Sequence, residues 1–305
     1  MILQYQHLSQ HAGVFQSMTG LRVSEFNALY LDMQGYYVEA EWARLERHDR
    51  QREIGAGHPF MLNSRDQILL TVVWLRVYPT YEVLGYLFGV SDTTTGRVVA
   101  RILPMLEKMG RDTMRLPHPG RKRRRQLDDL LRDIPEFAVV IDSFEQRVQR
   151  PETHAEADAL YSGKKKMHTL KSQVAVDEAT GCVVDVSDSV AGPTADLTLL
   201  KRSTLMKRLP PSVRGLGDLG YQGIDGLGCG SCPRRKPRSK PRPQADLDYN
   251  TAFSKRRIVV EHTIGRLRRY QAISQTDRHH RQLHAARVCA VAGLVNRQFT
   301  MRLPC

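Results

Sequence analysis

The chain has 305 residues, 41% of them hydrophobic and 26% charged, and a formal net charge of +14. This content supports a buried core and excludes wholesale disorder, while the charge asks for an anionic partner such as DNA, RNA or an anionic membrane. The membrane is set aside because the longest strongly apolar stretch, Ile68 to Leu75, is far shorter than the ~20 residues of a spanning helix. The first ten residues lack the basic flank and apolar core of a secretory signal. Five cysteines form no dense framework, so a reduced, cytoplasmic protein is expected.

The length accommodates one large domain or two modest ones. Residues 19–60 read as irregular helix, with Leu21, Phe26, Leu29, Tyr30 and Met33 on one face and a break at Gly55, Gly57 and Pro59. Asn63 or Ser64 caps a helix that carries Ile68, Leu69, Val72, Val73 and Leu75 and stops before Pro79. A second helix follows Thr80, a turn falls at Gly89-Val90-Ser91, and a third helix runs through residues 92–106. Two short helices, a glycine turn and a polar-headed third helix make the helix-turn-helix pattern over about 63–106. On that reading Ser91, Thr93, Thr94, Thr95 and Arg97 face DNA, while Val98, Val99, Ile102 and Leu103 hold the helix in place. An ordinary three-helix bundle is the plainer alternative.

Residues 111–135 read as a linker rich in Lys and Arg, whose cluster Arg121, Lys122, Arg123, Arg124 and Arg125 suits phosphates or a solvated surface equally well. Beyond residue 136 the periodicity changes. Strands are expected at Phe137–Ile141, Lys171–Asp177, Gly181–Val186 and Val213–Asp218, with helices at Thr194–Leu205, 252–270 and 279–297. Leu283, Ala286, Ala290, Val291 and Leu294 fall on the inner face of the last helix. The sum is a 1–110 helical region followed by a 136–305 mixed α/β domain.

Three acids stand out in this basic chain. Asp142 ends the apolar run from Phe137, Asp218 lies in Gly217-Asp218-Leu219-Gly220-Tyr221, and Glu261 sits in a helix beside Val259 and Val260. Each has a plain role available: strand end, turn stabiliser, or surface ion pair with Arg257 or Arg268. As a set, two strand ends and a helix can gather carboxylates into a divalent-metal site for cutting and joining DNA. Two such ions activate the attacking oxygen and stabilise the leaving one, and carboxylates suit hard ions such as Mg²⁺. Arg257 and Arg268, at offsets of minus four and plus seven, line up with Glu261 as phosphate binders. Strand alternation turns Lys164, Lys166 and His168 to one side, with Lys171 nearby, towards DNA or towards a solvated sheet edge. The basic stretch 234–242 reads as a mobile DNA-contacting loop, and Cys229-x-x-Cys232 lacks the second pair a structural zinc site needs.

The segments 139–151 (VVIDSFEQRVQRP), 161–177 (YSGKKKMHTLKSQVAVD), 217–223 (GDLGYQG) and 256–270 (RRIVVEHTIGRLRRY) resemble the DDE transposases of bacterial insertion sequences, in the insertion-sequence-five group with its Harbinger-like relatives. Residues 63–106 resemble that family's helix-turn-helix domain. The resemblance implies an RNase H-like catalytic domain in which Asp142, Asp218 and Glu261 bind two Mg²⁺ or Mn²⁺ ions. It further implies double-stranded DNA partners (terminal inverted repeats and target), a homodimer in the synaptic complex, and association with the nucleoid when bound. Arg257 and Arg268 match basic positions around the glutamate; Ser254 stands where a sister group often has Tyr. The rival functions are a metal-dependent nuclease that does not join strands and a catalytically silent DNA-binding derivative.

Overall fold

The computed structural model describes residues 2–46, 51, 53, 59–117, 137–239 and 241–302. Arg121, Lys122 and Arg123, with most of the expected linker, lie outside them. The chain forms two compact units: Met1–Asp112 with Arg269–Ile273 and Cys289–Cys305, and Thr113–Arg268 with Ser274–Val288. No helix among the described residues is long and apolar enough to cross a membrane.

The first unit is helical: α1 (Tyr5–Leu8), α2 (Ala12–Thr19), α3 (Val23–Leu45), α4 (Ser64–Val77), α5 (Tyr81–Phe88) and α6 (Asp92–Thr113). Leu21, Phe26, Leu29 and Met33 are fully buried, as the apolar spacing around α3 requires. Each helix of the helix-turn-helix starts on a side-chain cap. Asn63 Oδ1 accepts from the Asp66 N–H at 2.9 Å, Thr80 Oγ1 from Val83 at 3.3 Å, and Ser91 Oγ from Thr94 at 3.1 Å. Gly89, at φ +67°, closes α5 in the left-handed region that glycine enters without strain. Val98, Val99, Ile102 and Leu103 are buried on α6, which continues past Pro104 to Thr113. Thr95 departs from the sequence expectation. It is fully buried, its Oγ1 donating to the Ser91 carbonyl at 3.0 Å, and so cannot present itself to DNA.

The second unit is built on β1 (Phe137–Arg147), α7 (His154–Leu160), β2 (Tyr161–Ser162), β3 (Met167–Asp177), β4 (Val183–Val186), β5 (Val190–Ala191), α8 (Asp196–Ser203), α9 (Leu205–Arg208), β6 (Val213–Leu216), β7 (Gly230–Ser231) and α10 (Gln244–Leu267). The sheet runs β2-β3-β1-β6-β7, and β4 and β5 also pair with β3. Strands β1 and β3 are antiparallel over a long ladder, Val139 opposite Asp177 through Arg147 opposite Thr169. On the other side β6 lies parallel to β1, and β7 parallel to β6. Val139, Ile141, Val184, Leu200, Leu205, Val213, Tyr221 and Ile224 share one core cluster, while α10 packs on β1 and β3 with Phe253, Val260, Ile264 and Leu267 buried.

A final helix, α11 (His284–Arg302), passes from one unit to the other between Val288 and Cys289. Its later part completes the helical unit, where Arg302 forms an ion pair with Glu25 at 2.6 Å.

Candidate active site

The parallel pairing of β1 with β6 aligns two of the three expected acids. Val140 lies opposite Leu216, so Asp142 and Asp218 each stand two residues further along neighbouring strands. Asp142 is still in β1, whereas at Asp218 the chain has left β6 and its Oδ1 accepts from the Gly220 N–H at 2.8 Å, capping a 3₁₀ turn at Leu219–Tyr221. Alternation puts Asp142 on the opposite face from Val139 and Ile141. Arg257 of α10 meets it there, its Nη2 3.7 Å from Asp142 Oδ2. Oδ1 accepts from the Ser143 N–H at 2.8 Å.

Glu261 projects from α10 into the same cleft, a space of about 330 Å³ lined also by Asp142, Glu145, Lys164, Lys165 and Arg268. Among the described residues Glu261 makes no ion pair and no side-chain hydrogen bond, so the surface pair with Arg257 or Arg268 does not form.

Burial pushes the Asp142 carboxyl up to about 6. The Ser143 N–H and Arg257 pull it back, and the charges of Asp218 and Asp196 add to the rise. Repulsion among carboxylates held this close is what a cation relieves. The fully buried Tyr221 hydroxyl is pushed well above its ordinary value by burial and by the charges of Asp196, Asp142 and Asp218, with a Ser143 hydrogen bond opposing. Oxygen donors suit hard divalent ions. The residues fit such an ion in chemistry. They are not drawn round one point: among the described residues no three of His, Cys, Asp or Glu are gathered closely enough to hold a metal.

The basic residues divide by position. Lys164 lies in the turn before β3 rather than in the strand, and it lines the cleft together with Lys165, which the alternation argument passed over. Lys166, at φ +55°, is exposed in that turn away from the cleft lining, and His168 is half-buried against the Tyr161 ring. Lys171 is buried and committed, its Nζ donating to the Thr194 carbonyl at 2.6 Å and to Asp196 Oδ1 at 2.9 Å. Arg268 is exposed at the cleft, with Nη2 3.4 Å from the Glu145 carbonyl. On α6, Thr93 and Arg97 are exposed and Thr94 is half-buried at the cap. Arg234 is pinned to α10 by Asp246 at 3.0 Å, which anchors the start of the expected basic loop. Cys229 is half-buried, with its thiol 3.5 Å from the Pro211 carbonyl.

Sequence reasoning missed Asp196, the first residue of α8. Its only sequence signal is an acid after Gly192-Pro193-Thr194-Ala195, which reads equally well as an ordinary helix-start residue.

Comparison with known proteins agrees with this arrangement. The helix-turn-helix of the DDE superfamily endonucleases matches residues 61–112. The probable transposase for insertion sequence element IS702 of Microchaete diplosiphon is 27% identical over 290 residues, covering 94% of this chain and 95% of that protein. No solved structure matches the chain. The endonuclease domain itself matches residues 141–296, from the strand that carries Asp142 to the last helix, and the chain belongs to the DDE superfamily endonucleases.

Proposed function

We propose that the chain is a transposase that binds the terminal inverted repeats of its element, cleaves the DNA there and joins the freed strand to target DNA. Asp142, Asp218 and Glu261 are the catalytic acids, on an RNase H-like fold. The fold reading is supported by the strand pattern: β4, β3 and β1 antiparallel in succession, then β6 and β7 parallel to β1. One observation carries the chemistry. The β1–β6 register brings Asp142, in mid-strand, and Asp218, just beyond the end of β6, to the same level, and the unpaired Glu261 lines the cleft that Asp142 lines.

Asp142, Asp218 and Glu261 would hold Mg²⁺ or Mn²⁺, two ions per site, which would supply charge neutralisation at a phosphate and an activated oxygen nucleophile. The chain's own residues do the rest. Lys164, Lys165 and Arg268 surround the cleft with positive charge that holds a DNA phosphate against the acids, Arg268 with the planar fork suited to it. Arg257 keeps a guanidinium beside Asp142 and favours its ionised form. Lys166 and His168 extend the basic edge along the DNA. Lys171, buried and paired, is left out of direct contact. Thr93, Thr94 and Arg97 present polar groups at the start of α6, the end a recognition helix offers to the major groove; Arg121, Lys122 and Arg123 add sequence-independent phosphate contacts. Two transposon ends held together call for a homodimer on DNA.

The test is a Mg²⁺-dependent strand-transfer assay on the element's own terminal DNA. Wild type is expected to give joined products, and Asp142→Asn, Asp218→Asn and Glu261→Gln each to lose them by a factor of 10³ or more, on the order of 4 kcal/mol of transition-state stabilisation. Cleavage without joining would establish a nuclease in its place. Sequence-specific binding with no cleavage would establish a silent DNA-binding derivative.

A further inference from the structure

Arg256 precedes Arg257 on α10 and has a different partner. Its Nε and Nη2 donate to Glu178 Oε1 and Oε2 at 2.8 and 2.6 Å, a bidentate pair in which both side chains are almost enclosed. Seven residues on, and so on the same face of the helix two turns away, the fully buried Thr263 donates its hydroxyl to the Gly181 carbonyl at 3.1 Å. Both acceptors belong to the turn between β3 and β4. The helix is therefore held to one turn at two points about 10 Å apart along its axis. Glu261 lies between those points and, five residues after Arg256, is rotated about 140° from it.

The turn that takes these bonds is itself fixed. Asp177 closes it, Oδ1 accepting from the Ala179 N–H at 3.2 Å and Oδ2 from the Thr180 hydroxyl at 2.7 Å. The Glu178 N–H donates to the Ala138 carbonyl of β1 at 3.1 Å. A series of directional bonds thus runs from β1, the strand of Asp142, through Glu178 and Arg256 to the helix of Glu261. Phe253, Val260, Ile264 and Leu267 are buried where that helix packs on the sheet, but apolar burial is non-directional and defines rotation about the axis weakly. A buried ion pair adds little net stability over well-packed apolar residues of the same volume; what it adds is direction.

We propose that Arg256 and Glu178 are positioning residues for the acid on α10. Their pair sets the rotation and height of the helix, and with them the approach of Glu261 to Asp142 and the aim of Arg257 at the same carboxylate. This rests on the reading of Glu261 as a catalytic acid. Neither Arg256 nor Glu178 lines the cleft, so both act through the helix.

The experiment measures, for the full chain with Mg²⁺ and the element's terminal DNA, the single-turnover cleavage rate at saturating DNA and the Kd for that DNA. Thermal unfolding and amide hydrogen exchange are followed without metal or DNA. Arg256→Met and Glu178→Leu each strand one buried charge and are expected to lower the unfolding temperature. The double variant Glu178→Leu/Arg256→Met removes both charges and is expected to recover most of that stability. It is nevertheless expected to cleave about tenfold or more slowly than wild type, with Kd within a few-fold and with faster exchange in α10 but not in β1. Arg256→Lys keeps the charge without the fork and is expected to fall between. A folded double variant that cleaves at the wild-type rate, or whose α10 exchanges as in wild type, would overturn the proposal; loss of cleavage in Glu261→Gln alongside it would leave the triad standing. Should the double variant fail to fold, wild-type rates in Arg256→Lys and Thr263→Val would overturn it instead. Wild-type cleavage in Glu261→Gln would sink the reading of that acid and this proposal with it, as would absence of cleavage in wild type.

Discussion

His284 is wholly enclosed in the second unit, its Nε2 2.8 Å from Gln146 Oε1 and its Nδ1 2.6 Å from Ser189 Oγ. Gln146 Nε2 donates to the Gln275 carbonyl at 2.8 Å, which makes Oε1 the acceptor and assigns the imidazole proton to Nε2. Nδ1 then accepts from Ser189. Burial lowers the ring to about 4, helped by the Arg287 charge and opposed by Asp277. The folded state thus holds a neutral ring that the unfolded chain protonates near 6.5. His284's contribution to stability is complete above about pH 6.5 and declines as pH falls towards 4, by about 3 kcal/mol at most. Urea unfolding across that window is expected to show the decline, and His284→Gln to flatten part of it; His279, also lowered to about 4 chiefly by burial, supplies a further share. An unchanged slope in the variant would rule out the assignment. At this scale the sequence was informative where a residue's neighbours in the chain decide its role. Asp142 and Asp218 are read from the apolar run and the glycine turn beside them. Asp196 and Lys171 find each other 25 residues apart across β3 and α8, which no local pattern announces.

Among the elements, α6 and the later part of α11 approach closely in the helical unit. A Cβ on Gly293 would lie 2.5 Å from the Gly110 Cα, and one on Gly110 would lie 2.6 Å from the Cys289 carbonyl oxygen. Both obstacles are backbone, so neither side can yield cheaply. Gly293→Ala is expected to destabilise the unit by about 1–3 kcal/mol through overpacking, despite alanine's better helix propensity. A chemical-denaturation midpoint at or above the wild-type value would contradict this. Element types follow from periodicity, but lengths depend on partners. Strand β1 was expected to stop at Ile141 and continues to Arg147, because β3 supplies an antiparallel partner for its polar second half. Helix α10 begins at Gln244 rather than near 252, directly after Pro243, whose ring suits a helix start. The last helix begins at His284, so Leu283, expected inside, falls in the preceding turn and is 41% exposed.

For the molecule as a whole, the sequence division at residue 110 tracks the change of periodicity, whereas the structure also assigns Arg269–Ile273 and Cys289–Cys305 to the helical unit. These returning segments contribute buried groups, among them Tyr270, Ile273, Val291, Leu294 and Val295, and the Arg302 partner that holds Glu25. Burial alone would raise the Glu25 carboxyl; hydrogen bonds from Arg302 and the Arg22 N–H outweigh it and keep it below the usual range. A fragment of residues 1–117 therefore lacks part of its own core. It is expected to unfold without a cooperative transition by circular dichroism, and joining residues 289–302 to it through a flexible linker is expected to restore one. A fully cooperative 1–117 fragment would show that the returning segments are dispensable.

The same interleaving sets an order of events during synthesis. Nascent domains generally complete themselves from the N-terminus onward at about 5–20 residues per second, yet here the helices made first must wait for residues 289 and beyond. The sheet unit waits in turn for Ser274–Val288. The helical unit is finished only once Cys289–Cys305 has been made. A polypeptide released before Ser274 would leave the ribosome with neither unit closed.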